Sequence, residues 1–501
     1  EEFHSLYNRV LEDFERYLEP SFDKREDKLG GKIAYFSTEF GLHDSIPIYS
    51  GGLGVLSGDH LKSASDRNLP LMGIGLFYRN GYFQQFIDSD GTQHHLFPEL
   101  DLTRLPVQRV LNKNGQPLFV ECPLKQWDVK LKVWIFQVGR IPLILLDSNC
   151  EENPPEIQPI TSQLYVRDRE MRLCQEIILG VGGAKVLRDM NWTPDVWHMN
   201  EGHSVFLITE RLRQRSEQGD SFEQARKHIC DDTLFTTHTP VPAGHEIYNR
   251  NLIEEYFAPQ FDEMKYDFDQ FYQLGINQVE NGGDFNLTAL ALRFSGKYNA
   301  VSKLHAEVSN RMWGHVLETN QESEIFPVTN GVHAPTWLGY EIRDLLNVSE
   351  DCWDDDHCES LCEQLEACSD QELWDAHLRQ KERFIRISRD RIRQQRSRHG
   401  QSPDELAKVK NLIDPETLLI GFARRFASYK RATMIFRDFD RIRQIMCDEE
   451  RPVQVVFAGK AHPADQHGQQ LIKDIYELMN YSELRNQITF VENYNIHIAS
   501  L

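Results

Sequence analysis

Short runs of apolar and β-branched residues recur along this chain, and between them the apolar positions repeat with helical period. The runs at residues 32–37, 71–77, 195–198, 233–237, 326–329, 418–423, 453–458 and 488–492 predict strands. The periodic segments at 57–67, 170–189, 203–215, 287–294, 302–313, 430–447 and 464–479 predict helices. Strands alternating with helices predict an α/β fold with parallel sheets. Residues 107–146 depart from this alternation. Short strands around a turn at 112–115 predict a β-rich excursion there.

A long basic amphipathic helix is predicted over 375–398, followed by His399-Gly400-Gln401-Ser402-Pro403, a helix stop and loop. A fresh β-α-β-α-β series starts at Thr417. These signals divide the chain into an N-terminal domain over 1–400, ending in a linker helix, and a second domain over 401–501. The segment from Lys381 to Arg398 is strongly basic, but Phe384, Ile385, Ile387 and Ile392 interrupt it as a buried stripe. That pattern fits an interdomain helix with a wet face better than a nucleic-acid arm.

Composition narrows the function. The 501 residues are 40% hydrophobic and 11% aromatic, which places the chain among globular proteins. Lysine and arginine number 55 against 77 acidic residues, a formal charge of −22. Such a charge repels polyanions, so nucleic acid is excluded as a partner and any phosphate ligand must meet a locally basic pocket. Nine scattered cysteines with no C-x-x-C pair read as reduced thiols of a cytoplasmic protein. Residues 1–30 are charged and lack an apolar leader core, and apolar runs such as 141–146 are too short to span a bilayer. No membrane partner is expected. The chain starts at Glu1 and stops at Leu501 just after a strand-like run and a turn, so it is expected to be a fragment.

Three motifs carry candidate chemistry. Tyr49-Ser50-Gly51-Gly52-Leu53-Gly54 precedes a predicted helix, and it reads equally as a tight turn or as an anion site built from backbone N–H groups. In Phe422-Ala423-Arg424-Arg425-Phe426-Ala427-Ser428-Tyr429-Lys430-Arg431, four cations gather where a strand gives way to a predicted helix. Cations at a helix start oppose its dipole by about 0.3–1 kcal/mol each unless an anion offsets them. A phosphate site is therefore favoured over a solvated basic helix start. The third group comprises the polar strand ends Trp197-His198-Met199-Asn200-Glu201-Gly202-His203, Thr236-Thr237-His238-Thr239-Pro240 and Thr329-Asn330-Gly331-Val332-His333. Substrate-facing groups collect at such ends, although each histidine taken alone is more often a hydrogen-bonded structural residue. No metal site is expected. His198 and His203 are off the spacing of a zinc-binding helix, and neither His94-His95 nor Cys352, His357, Cys358, Cys362 and Cys368 has ligand spacing. The acidic run Asp354-Asp355-Asp356 reads as a solvated face.

Taken together, these motifs resemble the α-glucan (glycogen, starch, maltodextrin) phosphorylases, within them the shorter bacterial and archaeal branch. The resemblance runs in order through Tyr35-Phe36-Ser37-Thr38-Glu39-Phe40, Gly51-Gly52-Leu53-Gly54, Asn200-Glu201-Gly202-His203, Thr237-His238-Thr239, residues 299–309 and Thr329-Asn330-Gly331. It continues through residues 424–431, Gly459-Lys460-Ala461 and Glu492-Asn493-Tyr494-Asn495. It implies a GT-B-like fold of two Rossmann-like domains facing a cleft, the second incomplete here. It also implies pyridoxal 5'-phosphate as cofactor, and phosphorolysis of terminal α-1,4-glucosidic bonds to glucose 1-phosphate with retention. By the same carry-over, the Gly52 amide with Arg425 and Lys430 holds the substrate phosphate, and Gly51, Asn200 and His203 belong to the substrate region. The backbone carbonyl of His238 faces the sugar. Arg424, where the family usually has lysine, lies near the cofactor phosphate, and Tyr494 is on the cofactor side.

The implied chemistry suits the residues. Glycosidic cleavage passes through an oxocarbenium-like state and needs an acid at the leaving oxygen. In this family the substrate phosphate supplies that proton beside the cofactor's phosphate, and two contacting phosphates need cations to clamp them. No carboxylate pair is then required. Two departures stand out. Gly41 replaces the family tyrosine after Glu39-Phe40, and no lysine of residues 1–501 stands in the family's cofactor-lysine motif. The 501 residues alone are therefore expected to be inactive and the parent enzyme active. The alternatives are a sugar-nucleotide-dependent glucan synthase, although Tyr49 fills that family's lysine position, and a non-catalytic glucan-binding protein. A homo-oligomer is left open.

Overall fold

A computed structural model describes residues 2–18, 30–239, 245–277, 283–317, 324–346, 355–484 and 486–501. Pro240, Cys352 and Asp354 lie outside the described residues, as do 19–29 and the side chains of Asp355, Asp356, His357 and Cys358. The chain divides into two compact units, residues 1–82 with 99–332, and residues 83–98 with 333–501.

Among the described residues, the first unit carries a ten-stranded mixed sheet. Its strands are β1 (Ile33–Phe36), β2 (Leu71–Leu76), β3 (Val107–Arg109), β4 (Phe119–Leu124), β5 (Trp127–Val138), β6 (Ile141–Asp147), β7 (Val196–Asn200), β8 (Thr233–Thr237), β9 (Lys297–Ala300) and β10 (Phe326–Pro327). Their spatial order is β10-β9-β8-β7-β1-β2-β6-β5-β3, with β4 also paired to β5. The run from β10 to β6 is parallel. β5 pairs antiparallel with β3, β4 and β6, which is the β-rich excursion expected over 107–146. Every residue of β2 and all but Pro142 of β6 are buried, as continuous apolar runs require in a parallel sheet covered on both faces.

The predicted helix at 57–67 begins earlier, at Gly52, and runs to Asp66. Close backbone contact explains why. The Gly41 amide donates to the Gly54 carbonyl at 2.6 Å, and a Cβ on Gly58 would lie 2.0 Å from the Gly41 carbonyl oxygen. A Cβ on Gly41 would itself meet Val55 N at 3.0 Å. A side chain at Gly41 would therefore require the neighbouring backbone to shift by a few tenths of an ångström. The predicted helix at 170–189 holds as Arg169–Ile177 and Gly183–Asp189, joined by a π-helical turn at Ile178–Gly182.

The second unit has three parallel strands, β11 (Leu418–Ala423), β12 (Val453–Ala458) and β13 (Ile488–Val491), with β12 central. Strand alternation gives β12 two apolar faces. Val453, Val455 and Phe457 join a cluster with Met446, Leu471, Ile472, Ile475 and Phe490. Val456 and Ala458 join Ile385, Ile392, Val409, Ile413 and Val491.

The basic helix, Asp370–Arg398, is therefore a core element of this unit, where a linker between the domains is expected from its buried stripe and the helix stop that follows. Its stripe is buried on the sheet, and its cations cap carbonyls of the same unit. Lys381 Nζ donates to Thr417 O at 2.6 Å, Arg389 Nε to Leu412 O at 2.6 Å and Arg391 Nη1 to Asn493 O at 2.7 Å. This unit also contains a hairpin of Gln84–Ile87 with Gln93–Leu96, a segment the division at residue 400 assigned to the other domain. The predicted helix at 430–447 resolves into 3-10 turns at Ser428–Lys430 and Met434–Phe436 and a helix at Phe439–Met446. Arg431, left-handed at φ 57, ends the first turn. Among the described residues, no helix is long and apolar enough to cross a membrane.

The Gly41–Gly58 contact gives a direct test of the first unit. Gly58→Ala should destabilise it by about 3 kcal/mol, because the new methyl group must displace backbone. Chemical denaturation measures this, and an unchanged midpoint would contradict the packing.

Candidate functional site

In the first unit the carboxyl ends of β1, β7, β8 and β9 lie side by side, and their polar residues interlock. Asn200 Nδ2 donates to Ser37 Oγ at 3.2 Å and to Ser57 Oγ at 3.0 Å. Asn200 Oδ1 meets His238 Nε2 at 2.5 Å, which makes Nε2 the protonated ring nitrogen. Thr236 Oγ1 donates to Asn299 Oδ1 and accepts from His198 Nε2, both at 2.8 Å. Register explains the grouping, since Thr236 sits opposite both Asn200 and Asn299. Sequence reasoning placed Asn200 and His238 in one region, and the structure brings them into direct contact.

Burial keeps these imidazoles neutral. It pushes His238 down to about 4, with His305 adding to the shift, and His198 down to about 3, with His60 and His238 adding. His203, on the 3-10 turn Gly202–Ser204, is pushed down to about 3 by burial and then by the Arg172 charge. Its Nδ1 and the Thr237 hydroxyl are buried without a hydrogen-bond partner among the described residues.

Glu201, between Asn200 and His203, was not nominated from sequence. Its backbone adopts φ 68, ψ 174, a conformation almost confined to glycine. Its buried carboxylate accepts the His238 N–H at 2.8 Å and the Gly202 N–H at 3.3 Å. Burial raises this carboxyl to about 7, although those hydrogen bonds pull the other way. Strain of this kind persists only where surrounding contacts over-determine it.

The glycine loop is organised by a second buried acid, Glu39. Its Oε2 accepts Ser50 N–H at 2.5 Å and Gly51 N–H at 3.3 Å, and its Oε1 accepts the Tyr165 hydroxyl at 2.9 Å. Gly51 is thus turned onto Glu39 and serves as N-cap of the helix that opens at exposed Gly52. The Gly52, Leu53 and Gly54 amides follow, with no preceding helical turn to receive them. Glu39 and Glu201 share a faint sequence signal, and Tyr165 carries none. The two acids stand inside otherwise apolar or glycine-flanked motifs at strand ends, where a charge needs a reason.

In the second unit, Phe426 is fully buried in the apolar cluster and anchors the cationic turn. The Phe426 N–H donates to Lys460 O at 3.0 Å and the Arg424 N–H to Ala458 O at 3.2 Å. Gly459, at φ 150, permits that approach, since a Cβ there would lie 2.0 Å from Arg424 O. The Gly459-Lys460-Ala461 segment is therefore the seat of the turn. Arg424 and Arg425 remain exposed beside half-buried Lys430, whose Nζ lies 4.8 Å from the Tyr429 ring centroid. Burial pushes the Tyr429 phenol up, but its hydrogen bond to Arg425 and the charges of Arg425, Lys430 and Arg424 bring it below its ordinary value. A recess of about 410 Å³ adjoins the turn, lined by Arg425, Ser428, Tyr429, His462 and Asp465 among others. The helix-dipole argument for an anion here does not survive, because the helix starts only at Phe439. The clustering of cations does.

The hairpin holds this seat in place. Gln85 Nε2 donates to Gly459 O at 2.8 Å, while Gln93 accepts from Ala461 N at 3.0 Å and donates to Ala461 O at 2.9 Å. Gln85 also exchanges hydrogen bonds with Asn493, donating its N–H at 3.1 Å and accepting at 2.8 Å. Glu492 accepts Ile87 N–H and Gln395 Nε2, both at 3.1 Å, and pairs with Arg398. The half-buried Tyr494 ring packs against the cluster around Ile385 and Val491, and burial raises its phenol. Among the described residues, no group of three or more His, Cys, Asp or Glu is placed to hold a metal.

Comparison with known proteins matches the sequence of this chain to a family. The family model described as carbohydrate phosphorylase matches residues 181–501. A second model, described as a protein of unknown function, matches residues 1–46. The maltodextrin phosphorylase of Thermococcus litoralis is 39% identical over the whole of this chain and 60% of its own length. The glycogen phosphorylase of Mycobacterium tuberculosis is 38% identical over 94% of the chain and 56% of its own length. That of Aquifex aeolicus is 37% identical over the whole chain and 72% of its own length. The chain thus spans little more than half the length of the first two relatives. With more than half of its residues matched by the family model, the chain belongs to the carbohydrate phosphorylase family.

Proposed function

We propose that this chain supplies the glucan- and phosphate-binding parts of a phosphorylase that cleaves terminal α-1,4-glucosidic bonds with orthophosphate, giving glucose 1-phosphate with retention. The proposal includes a GT-B-like pair of Rossmann-like domains and a cytoplasmic location. The observation that carries it is the gathering of Arg424, Arg425 and Lys430 at one turn of a chain with charge −22. Cations so placed stabilise the phosphate that must approach a sugar.

Each unit contributes its own groups. In the first, the Gly52 amide meets the phosphate and the His238 carbonyl faces the anomeric carbon. A neutral His238 suits that duty, because an imidazolium beside a developing oxocarbenium would repel it. Asn200 fixes the His238 ring through Nε2, and the unpartnered His203 Nδ1 and Thr237 hydroxyl are suited to sugar hydroxyls. In the second unit, Arg425 and Lys430 hold the substrate phosphate.

Pyridoxal 5'-phosphate is the cofactor implied by the family. The donor chemistry of the turn fits its phosphate, because Arg424 adds a third cation and Tyr429 is already biased by positive charge. Arg424 would hold that phosphate and Tyr494 would flank it. When bound, the cofactor supplies a second phosphate as proton partner to the first.

Three outcomes are expected. The full-length gene product should release glucose 1-phosphate from maltodextrin only when orthophosphate is present. Consumption of ADP-glucose without phosphate dependence would overturn the reading. Arg425→Ala should raise KM for phosphate about 10- to 100-fold, the worth of a charge-assisted hydrogen bond at ~1.5–3 kcal/mol. An unchanged KM would remove Arg425 from the phosphate site. The third concerns acid. The folded state holds His238 at about 4 against an ordinary 6.5, so the unfolded chain binds more protons between those values. The stability this imidazole contributes is present above pH 6.5 and lost as pH falls toward 4. His238→Gln should show a shallower fall of thermal midpoint over that window than wild type, and equal slopes would contradict a buried neutral imidazole.

A further inference from the structure

Glu39 lies in the first motif of the chain, yet nothing in the functional reading employs it. Its side chain is almost wholly removed from solvent, at 2% exposure. A carboxylate so buried behind a proposed anion site should be a liability, because like charges repel more strongly as solvent is excluded. Its surroundings account for its presence. Three donors converge on it from two segments, the Ser50 and Gly51 amides and the Tyr165 hydroxyl. Burial and then the Glu39 charge hold the Tyr165 phenol well above its ordinary value, so it remains a donor. The loop also wraps closely around the carboxylate. A Cβ on Gly54 would lie 2.7 Å from Glu39 Oε2 and 2.6 Å from Tyr49 Cβ. The third glycine of Gly51-Gly52-Leu53-Gly54 is therefore required by the close packing of Tyr49 and Glu39 together. The Glu39 carbonyl in turn accepts Ser37 Oγ at 3.0 Å, and Ser37 Oγ accepts from Asn200. One residue thus joins the glycine loop to the sugar-facing strand ends.

We propose that Glu39 is the positioning residue of the glycine loop, its buried carboxylate drawing the Ser50 and Gly51 amides inward so that the helix opening at Gly52 presents its first-turn amides to the substrate phosphate. The inference rests on the proposed reading of that loop as a phosphate site. A carboxylate suits this duty because it is acceptor-only, with two oxygens able to serve three donors at once. A glutamine in its place would set its NH2 against one of those donors. Glu39 touches no reacting atom in this scheme. It acts through the loop, at a cost in electrostatic repulsion that the three hydrogen bonds offset.

The test uses the full-length protein with orthophosphate and maltodextrin varied separately. Glu39→Gln should raise KM for phosphate about tenfold or more, and Tyr165→Phe about threefold, with KM for maltodextrin changed less than about twofold. A merely structural role would move both constants together or lower activity through unfolding alone. Orthophosphate should also raise the thermal midpoint of the wild type by mass action, and this shift should shrink in both variants. Equal changes in both KM values, or an undiminished phosphate-induced shift, overturn the role of Glu39. Should Glu39→Gln fail to fold, Tyr165→Phe decides, because it removes one donor and leaves the carboxylate in place. If the wild type shows no phosphate dependence at all, the functional reading falls. If the wild type is phosphate-dependent and both variants match it, only this inference falls.

Discussion

A polar group buried without its partner costs more than the hydrogen bond it would have made contributes, and that constraint shapes both units at their strand ends. Parallel strands stop with their last carbonyls and amides unpaired, in ground that the covering helices leave dry. In the first unit Asn200, Thr236, Glu39 and Glu201 satisfy neighbouring side chains and the adjoining backbone. In the second, Gln85, Gln93 and Glu492 do so. Each network fixes a loop that would otherwise adopt many conformations. The order of the candidate site is thus supported by polar satisfaction inside the fold.

Charge is distributed to the same end. The acidic surplus of the whole chain repels anions everywhere except where it is locally reversed, and the reversal at Arg424–Lys430 is held by an apolar anchor. Phe426 is buried so that the residues on either side must point outward. Gly459 lets the next strand end approach closely enough to brace it. The arginines elsewhere in this unit are differently treated. In the Asp370–Arg398 helix, Arg389 and Arg391 meet backbone carbonyls at Leu412, Ile413 and Asn493, and Arg383 and Arg398 pair with Glu341 and Glu492. A cation count along the sequence cannot separate the two uses, because the difference lies in what each side chain meets.

That distinction marks how far the sequence was legible. The α/β alternation, the strand positions and the two polar centres around Asn200–His238 and Arg424–Lys430 could be read from apolar runs and local composition, since each depends on neighbours in the chain. The hairpin at Gln84–Leu96 could not. Its partners Gly459, Ala461 and Asn493 lie far along the sequence, and only tertiary pairing reveals why two glutamines should be buried there. The basic helix was misread for the same reason. Its periodic stripe was correctly seen, but whether a stripe faces a neighbouring domain or its own sheet is not encoded in periodicity. The extended helix expected after Lys430 failed because local propensity yielded to a left-handed residue at Arg431, which the turn needs and a helix forbids.

Glu201 and Glu39 illustrate one solution used twice. Each is a buried acid placed beside a backbone segment at a strand end, accepting amides that would otherwise remain unmet. Only Glu201 bears evident strain, in a backbone conformation that costs of order 1–3 kcal/mol for a residue with a side chain. Glycine would relieve that strain, yet it would also release the His238 amide and leave the strand end to settle elsewhere. The strain sits where the Glu201 carboxylate holds the His238 amide while the adjacent Asn200 meets the ring of the same histidine. Two demands on adjacent residues, one for each side of His238, fix the backbone between them.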